Sequence, residues 1–279
     1  LIGNHELYNF SREGLKAIST QSSCRFVNAA GKFYYRYEPA DAVAAGWRFL
    51  ILDAYDLSVM SQGRGHGLDQ SALSLMAAEN PNFQPAVGKK HVTIYDLNAE
   101  SVDGVKIDWF KGRGATPNLL WRWVPMNGAI SEDQLRWLRA ELEEATRLGL
   151  RVGVLSHVGL HPKTGNGGQC LLWNYDEVLK LLHSAEGSCV QFVFNGHRHD
   201  GGFVTDEHGI HHCCFESPLH SRVGEPGCFA LVELCLDKIV IRGFAPSRSD
   251  VQTRSWYGRS LDAEDAFALQ TKTLPLRCS

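Results

Sequence analysis

Three polar blocks of this chain directly follow apolar segments, and this repeated order is the strongest constraint on its fold. Arg151–Ser156 (RVGVLS) leads into His157, and Cys189–Phe194 (CVQFVF) leads into residues 196–199 (GHRH). Residues 1–6 (LIGNHE) show the same order on a smaller scale, which indicates the end of a strand before the polar block. Short apolar runs are typical of buried strands, so the blocks are predicted to be loops at strand ends.

Helices are predicted between these strands. Ser131 and Gln134 have the spacing of a capping box, and leucines at helical spacing follow them up to Gly149. Asn174–Ser184 predicts another helix, shortly before the second apolar strand. This alternation predicts an α/β fold, in which side chains at strand ends converge on the carboxyl edge of the sheet.

The remaining elements are predicted from apolar runs and helix-capping residues. Two strands and two helices are predicted at Lys32–Glu38, Trp47–Ala54, Ser11–Ile18 and Asp69–Glu79, respectively. A β-meander without intervening helices is predicted from Gly209–Glu216, Cys228–Leu236 and Lys238–Phe244. Residues 83–130 lack periodicity and are interpreted as an irregular insertion, and residues 247–279 as a polar tail. One domain is therefore predicted over residues 1–246.

The composition excludes several partners. The formal net charge is −3 without a basic stripe, which disfavours nucleic acid. The apolar runs are far too short to span a bilayer, so no membrane association is expected. The eight cysteines lack CxxC spacing, which favours free thiols in a reducing compartment and hence a cytoplasmic protein. A monomer is expected. An N-terminal targeting segment stays open, because Leu1 is not an initiator methionine.

The polar blocks carry donors for metal-dependent phosphate ester chemistry. Neutral imidazoles and an amide oxygen suit a divalent transition metal of intermediate hardness. Two such metals about 3.5–4 Å apart clamp a phosphate and activate water for in-line attack. An imidazole that is not a ligand then protonates the leaving oxygen. Each block alone is common in ordinary loops, but their joint occurrence after apolar strands favours a metal site.

The order GNHE, SH and GHxH resembles the later motifs of the calcineurin-like metallophosphoesterases. Five segments are similar to the manganese-dependent ADP-ribose/CDP-alcohol diphosphatases, namely residues 3–11 (GNHELYNFS), 52–58 (LDAYDLS), 170–175 (CLLWNY), 196–202 (GHRHDGG) and 209–212 (GIHH). The likeness extends from residue 1 to about residue 244, and residues 83–130 and the tail match poorly. The resemblance implies an αββα sandwich of the metallophosphoesterase type.

The resemblance also implies a role for each matching residue. Asn4, His157 and His197 would bind one metal, and His199 would bind the other. His5 would be the general acid near the leaving group. The implied cofactor is a binuclear manganese centre, with Mg or another divalent metal left open. The implied reaction cleaves the pyrophosphate bond of ADP-ribose or CDP-choline-like alcohols, giving a nucleoside monophosphate and a second phosphate ester.

This sequence departs from the family pattern at its start. The family has two earlier blocks, an Asp-x-His or Asp-x-Gln turn and a Gly-Asp turn, which are expected upstream of Leu1. The chain is therefore expected to be truncated at its N-terminus, to bind at most one metal well, and to be weakly active or inactive. The alternatives are another metallophosphodiesterase or phosphatase, or a catalytically inactive fragment.

Aromatic and amide side chains near these motifs are candidates for substrate binding. Tyr8 and Asn9 lie closest in sequence to His5 and are predicted to border the substrate. Tyr55, Trp173 and Tyr175 are interpreted either as a wall for the nucleobase or as core residues. The sequence also contains an HHCC run at residues 211–214. A zinc site there is disfavoured, because adjacent residues of a strand point to opposite faces.

Overall fold

The described part of the protein consists of short helices and two main sheets. A computed structural model describes residues 1–21, 28, 30–80, 82, 101–102, 105–110, 119–218, 229–244 and 272–277. The helices are α1 (Asn4–Asn9), α2 (Arg12–Gln21), α3 (Ala40–Ala44), α4 (Gln70–Glu79), α5 (Glu132–Arg147) and α6 (Tyr175–Leu182). The strands are β1 (Tyr35–Tyr37), β2 (Trp47–Ile51), β3 (Ser101–Val102), β4 (Val105–Lys106), β5 (Arg151–Ser156), β6 (Val190–Asn195), β7 (Gly202–Thr205), β8 (His211–Cys214), β9 (Phe229–Leu234), β10 (Lys238–Phe244) and β11 (Lys272–Pro275).

The larger sheet has the strand order β1-β2-β5-β6-β8-β7. Its four central strands β2, β5, β6 and β8 run parallel, and β1 and β7 are antiparallel at the edges. The smaller sheet has the order β11-β10-β9 and is antiparallel throughout. Strands β3 and β4 form a separate short hairpin. The predicted α/β fold is confirmed, because helices connect parallel strands of a mixed sheet.

The two sheets pack face to face, and strand β6 shows why. All six of its residues are buried, and alternate side chains point to opposite sides of the sheet. Phe192 and Phe194 share a core cluster with Ile239 and Ile241 of the smaller sheet. Val193 belongs to the other cluster, which includes the buried residues of α5 and α6. One face of the large sheet is therefore covered by helices and the other by the small sheet.

Helix α5 forms as its sequence predicts, with one difference at its start. Ser131 caps the helix by accepting a hydrogen bond from the Gln134 amide at 3.3 Å, and Leu138 and Leu142 are fully buried. The Gln134 side chain does not complete the predicted capping box. It forms a pair of hydrogen bonds with the backbone of Asp53 instead, at 2.9 and 3.1 Å. A buried side-chain amide needs hydrogen-bond partners for both its oxygen and its nitrogen. The backbone of Asp53 supplies both, so Gln134 joins α5 to the residues after β2.

The predicted β-meander is only partly correct. Strands β9 and β10 form an antiparallel hairpin. Strand β8, however, belongs to the larger sheet, where it pairs with β6 and with β7. Strand β7 is not among the predicted elements, because it is only four residues long. Leu1 and Ile2 were predicted to end a strand, and the structure has no strand there.

The predicted domain boundaries also need correction. Within the predicted tail, β11 pairs with β10 and buries Leu274, so the domain continues beyond residue 246. Within the predicted insertion, Trp109, Trp121 and Trp123 are buried in the core. Residues 83–100, 103–104 and 111–118 of the predicted insertion and residues 247–271 and 278–279 of the predicted tail lie outside the described part. No helix in the described ranges combines the length and the apolar character that crossing a bilayer requires.

Candidate metal centre

The structure brings together three predicted metal ligands at the carboxyl edge of the larger sheet. The Nε2 atom of His157 lies 3.0 Å from Oδ1 of Asn4 and 3.2 Å from Nδ1 of His197. Donors that share one ion at about 2.1 Å and at octahedral or tetrahedral angles lie roughly 3.0–3.4 Å apart. Both separations from Nε2 of His157 therefore match the spacing of donors around a single ion, which would replace the hydrogen that this nitrogen otherwise directs at the Asn4 oxygen.

Each of these donors comes from the end of a different element. Asn4 is the first residue of α1, His157 directly follows β5, and His197 follows β6 after Gly196. His197 has a φ of 67°, in the left-handed region that a residue with Cβ occupies only at some cost. Strain of this kind collects at functional sites, where the surrounding structure holds the residue in place.

Burial and neighbouring imidazoles favour the neutral form of His157 and of His197. Removal from water, and after it the electrostatic influence of His5 and His199, lowers the pKa of His157 to about 3. Burial also lowers the pKa of His197 well below its ordinary value, with the same two histidines and His157 contributing. A neutral imidazole has a free lone pair, which a metal requires of its ligand.

A hydrogen bond from His197 to Asn127 fixes which nitrogen of His197 is free. The Nε2 atom of His197 lies 3.0 Å from Oδ1 of Asn127. An amide oxygen only accepts, so Nε2 carries the hydrogen and Nδ1 keeps its lone pair. That lone pair is directed towards His157. The arrangement of amide oxygen and imidazoles fits a divalent metal of intermediate hardness.

Asn127 is not among the predicted site residues, because it lies in the stretch interpreted as an insertion. Its side chain is fully buried, and its Nδ2 donates to the carbonyls of Arg122 and Gln169, both at 2.9 Å. These bonds hold the oxygen that orients His197. The dipeptide Asn127-Gly128 signals a turn, but nothing in its sequence indicates a partner.

We predict that Asn127→Ala weakens metal binding about 10- to 100-fold, the usual cost of removing a residue that orients a metal ligand. Calorimetric titration with Mn²⁺ measures this change. The matched control is Asn80→Ala, since Asn80 is also fully buried and donates to a backbone carbonyl, that of Trp123 at 2.7 Å. Both variants should lose about 1–3 kcal/mol of stability. Equal metal affinity in the two variants would contradict the positioning role.

Gly3 allows the backbone to approach the ring of His157. A Cβ atom placed on Gly3 would lie 2.7 Å from Cε1 and 2.8 Å from Nδ1 of His157. The φ of Gly3 is −111°, which any residue adopts, so the close approach alone calls for glycine here.

We expect Gly3→Ala to weaken metal binding by at least about 10-fold, because the added methyl displaces a ligand ring. Gly14→Ala is the control, since a Cβ there would meet only Ser11 Oγ at 3.4 Å. Binding of Mn²⁺ to both variants is compared by calorimetry. Unchanged affinity in Gly3→Ala would show that His157 is not held where the structure places it.

The other predicted site residues surround this centre. His5 is exposed on α1, and its ring contacts the ring of Tyr8 with centroids 5.4 Å apart. The Tyr8 hydroxyl accepts a hydrogen bond from Nδ2 of Asn4 at 3.1 Å, which directs Oδ1 of Asn4 towards His157. The Asn9 side chain donates to the His5 carbonyl at 2.7 Å. His199 is half-buried and lies within electrostatic range of His157. The roles predicted for these residues stay predictions.

Two of the aromatic candidates are core residues. Trp173 is 1% exposed, and its ring lies 5.3 Å from that of Trp123. Tyr55 is fully buried behind His157, and its hydroxyl donates to the Met126 carbonyl at 3.1 Å. Neither side chain has a surface left for a nucleobase.

The first aspartate of the LDAYD segment, Asp53, takes part in the packing of helix α2. Asp53 forms a buried ion pair with Arg12 of α2. The same guanidinium donates to the carbonyls of Tyr55, at 2.9 Å, and of Ser61. Arg12 therefore joins helix α2 to the loop after β2.

Comparison with curated proteins finds several relatives named manganese-dependent ADP-ribose/CDP-alcohol diphosphatase. The relative from Oryza sativa subsp. japonica is 30% identical over 244 residues, which cover 87% of this chain and 64% of the relative. The relative from Xenopus tropicalis is 32% identical over 275 residues, which cover 92% of this chain and 68% of the relative. The chain belongs to the manganese-dependent ADP-ribose/CDP-alcohol diphosphatase family. The resemblance stated from the sequence motifs is confirmed.

A solved structure agrees with membership in this diphosphatase family. A dimetal phosphatase from Danio rerio superimposes with a TM-score of 0.68 at 28% identity, covering 98% of this chain and 70% of that protein. Comparison with models of protein families finds no match. The chain spans 64% of the length of the rice relative and 60% of that of the Arabidopsis thaliana relative.

Proposed function

We propose that the protein is a metal-dependent hydrolase that cleaves the pyrophosphate bond of ADP-ribose and CDP-alcohols. The products would be a nucleoside monophosphate and a second phosphate ester. The observation that carries the proposal is that Oδ1 of Asn4 and Nδ1 of His197 lie 3.0 and 3.2 Å from Nε2 of His157 in a member of this family. We further propose Mn²⁺ as the cofactor and a cytoplasmic, monomeric protein without nucleic acid or membrane partners.

Separate residues would bind the metal, orient its ligands and donate a proton. Asn4, His157 and His197 would hold the metal, which when bound polarises a phosphoryl oxygen and lowers the pKa of water. Tyr8 and Asn127 would orient two of these ligands through the hydrogen bonds described above. His5, exposed beside Asn4, would donate a proton to the departing phosphate oxygen.

Metal stoichiometry and substrate choice together test the proposal. The chain is incubated with Mn²⁺ and with ADP-ribose, CDP-choline, a phosphodiester or a phosphomonoester, and the products are separated by chromatography. We expect about one strongly bound Mn²⁺ per chain and weak hydrolysis of the two diphosphates. His5→Ala should lower turnover while leaving Mn²⁺ affinity unchanged, because His5 is not among the converging donors.

Three results would contradict parts of this proposal. Faster hydrolysis of the phosphodiester or phosphomonoester would favour a different metallophosphoesterase activity. Binding of Mn²⁺ without release of a nucleoside monophosphate would favour the inactive-fragment alternative. Two strongly bound ions with rapid turnover would contradict the prediction that this chain binds at most one metal well and is weakly active or inactive.

A further inference from the structure

A second group of metal-ligating side chains lies on the opposite edge of the larger sheet. His183, Glu207 and His208 each offer one donor atom, and these atoms lie within 4.8 Å of one another. His183 follows helix α6, and the other two residues form the turn between β7 and β8. Strands β6 and β8 begin at this edge and run towards the Asn4–His157–His197 centre. The two groups are thus separated by the length of the strands.

A buried carboxylate orients this group. Oδ1 of Asp206 accepts hydrogen bonds from the backbone amides of His208, at 3.0 Å, and Ile210, at 2.8 Å. Oδ2 lies 2.9 Å from Nε2 of His183 and 2.9 Å from Nε2 of His212. The Asp206 side chain is completely buried, so all of its acceptor capacity is directed at these four groups.

This geometry determines the tautomer of His183. With four donors around it, the Asp206 carboxylate has no room for a hydrogen of its own, so Nε2 of His183 carries one. In the neutral imidazole, Nδ1 then has a free lone pair. A carboxylate that accepts from one ring nitrogen while the other faces outward is the usual support of a metal-ligating histidine.

The other two ligands are positioned to complete a site. The ring of His208 stacks on that of His183, with centroids 3.9 Å apart and an angle of 17°. Glu207 and His208 are exposed, so small side-chain rotations are available to both. Parallel stacked rings do not direct both lone pairs at one point, so the His208 ring would have to turn out of the stack for all three donors to share one ion.

We propose that His183, Glu207 and His208 form a divalent metal site distinct from the Asn4–His157–His197 centre, with a preference for zinc-like ions. Two imidazoles and one carboxylate favour Zn²⁺ over Mg²⁺ or Ca²⁺, which prefer all-oxygen ligands. Water would fill the remaining position. A bound ion would link the β7–β8 turn to the end of α6.

Zinc titration of the intact chain tests the proposal. Equilibrium dialysis gives the number of bound Zn²⁺ ions, and calorimetry gives their affinities, for the parent chain, His208→Ala and Glu207→Gln. We expect His208→Ala to lose one zinc equivalent or to bind it at least about 10-fold more weakly. Glu207→Gln should weaken the same equivalent. His197→Ala should remove a different equivalent, so that the losses add in the double variant.

His66→Ala is the matched control, because His66 is exposed and lies 3.4 Å from the carboxylate of Glu13, its one ion-pair partner among the described residues. It should bind zinc as the parent does. Both His208 and Glu207 are exposed in a turn, so neither substitution threatens folding. The proposal is overturned if His208→Ala and Glu207→Gln bind zinc like the parent, or if His66→Ala loses as much zinc as they do.

Discussion

Replacing His197 with alanine is expected to weaken binding of Mn²⁺ by at least about 100-fold. Loss of a residue that merely orients a ligand costs up to roughly this factor, and loss of the ligand itself costs at least as much. Asn4 and His157 would remain as two donors 3.0 Å apart. Calorimetric titration measures the change, and His66→Ala serves as the exposed control. An affinity within about threefold of the parent would remove His197 from the metal centre.

Substitutions of His197 should also change the stability of the fold, in a way that depends on the residue introduced. His197 adopts a φ of 67°, where a Cβ atom is unfavourable by about 1–2 kcal/mol. His197→Gly should therefore be more stable than His197→Ala by about 1 kcal/mol, although both lack the imidazole. Urea unfolding in the presence of a chelator gives the difference. A greater stability of His197→Ala than of His197→Gly would contradict a left-handed backbone conformation at residue 197.

Replacing Arg12 with methionine is expected to destabilise the fold by about 3–5 kcal/mol. The substitution keeps the packing of the side-chain stem but leaves the carboxylate of Asp53 buried without its counter-charge. Asp53 is 2% exposed and Arg12 is 12% exposed, so water compensates poorly. Urea unfolding of the metal-free protein measures the loss of free energy.

Two further variants make this result interpretable. Arg136→Ala removes an exposed ion pair with Asp133, and its cost should stay below about 1 kcal/mol. The double variant Arg12→Met/Asp53→Asn should recover part of the loss, because it removes the stranded charge. A loss of unfolding free energy below about 1 kcal/mol in Arg12→Met would contradict a desolvated Arg12–Asp53 ion pair. So would a double variant that is no more stable than Arg12→Met.

The elements predicted well are those with local signals. Ser131 at the cap and buried leucines at helical spacing determine α5, and the apolar runs before His157 and Gly196 determine β5 and β6. Convergence of His157 and His197 could be predicted as well, because the parallel strands β5 and β6 end at the same edge of the sheet. Residue type and position along the chain were sufficient in these cases.

The features that were missed depend on contacts distant in sequence. Asn127 pairs with His197 across 70 residues, and no periodicity around it indicates that partner. The donor set of His183, Glu207 and His208 likewise depends on the turn meeting the end of α6. Strand β11 is four residues long and buries only Leu274, too little for an apolar pattern. Helix α1 did carry a sequence signal, namely Glu6 three residues after Gly3. In the structure Gly3 is the N-cap, and Glu6 accepts a hydrogen bond from its amide at 2.8 Å.

The converging donors lie far apart along the chain, so a metal that they share would bind only the native state. His157 lies 153 residues from Asn4 and 40 from His197, and an unfolded chain does not hold such distant groups together. Free metal at 100 times its dissociation constant would then raise the free energy of unfolding by about 2.7 kcal/mol. Thermal midpoints and protease resistance should consequently rise with Mn²⁺ concentration, and measured stabilities are comparable only at a fixed free-metal level.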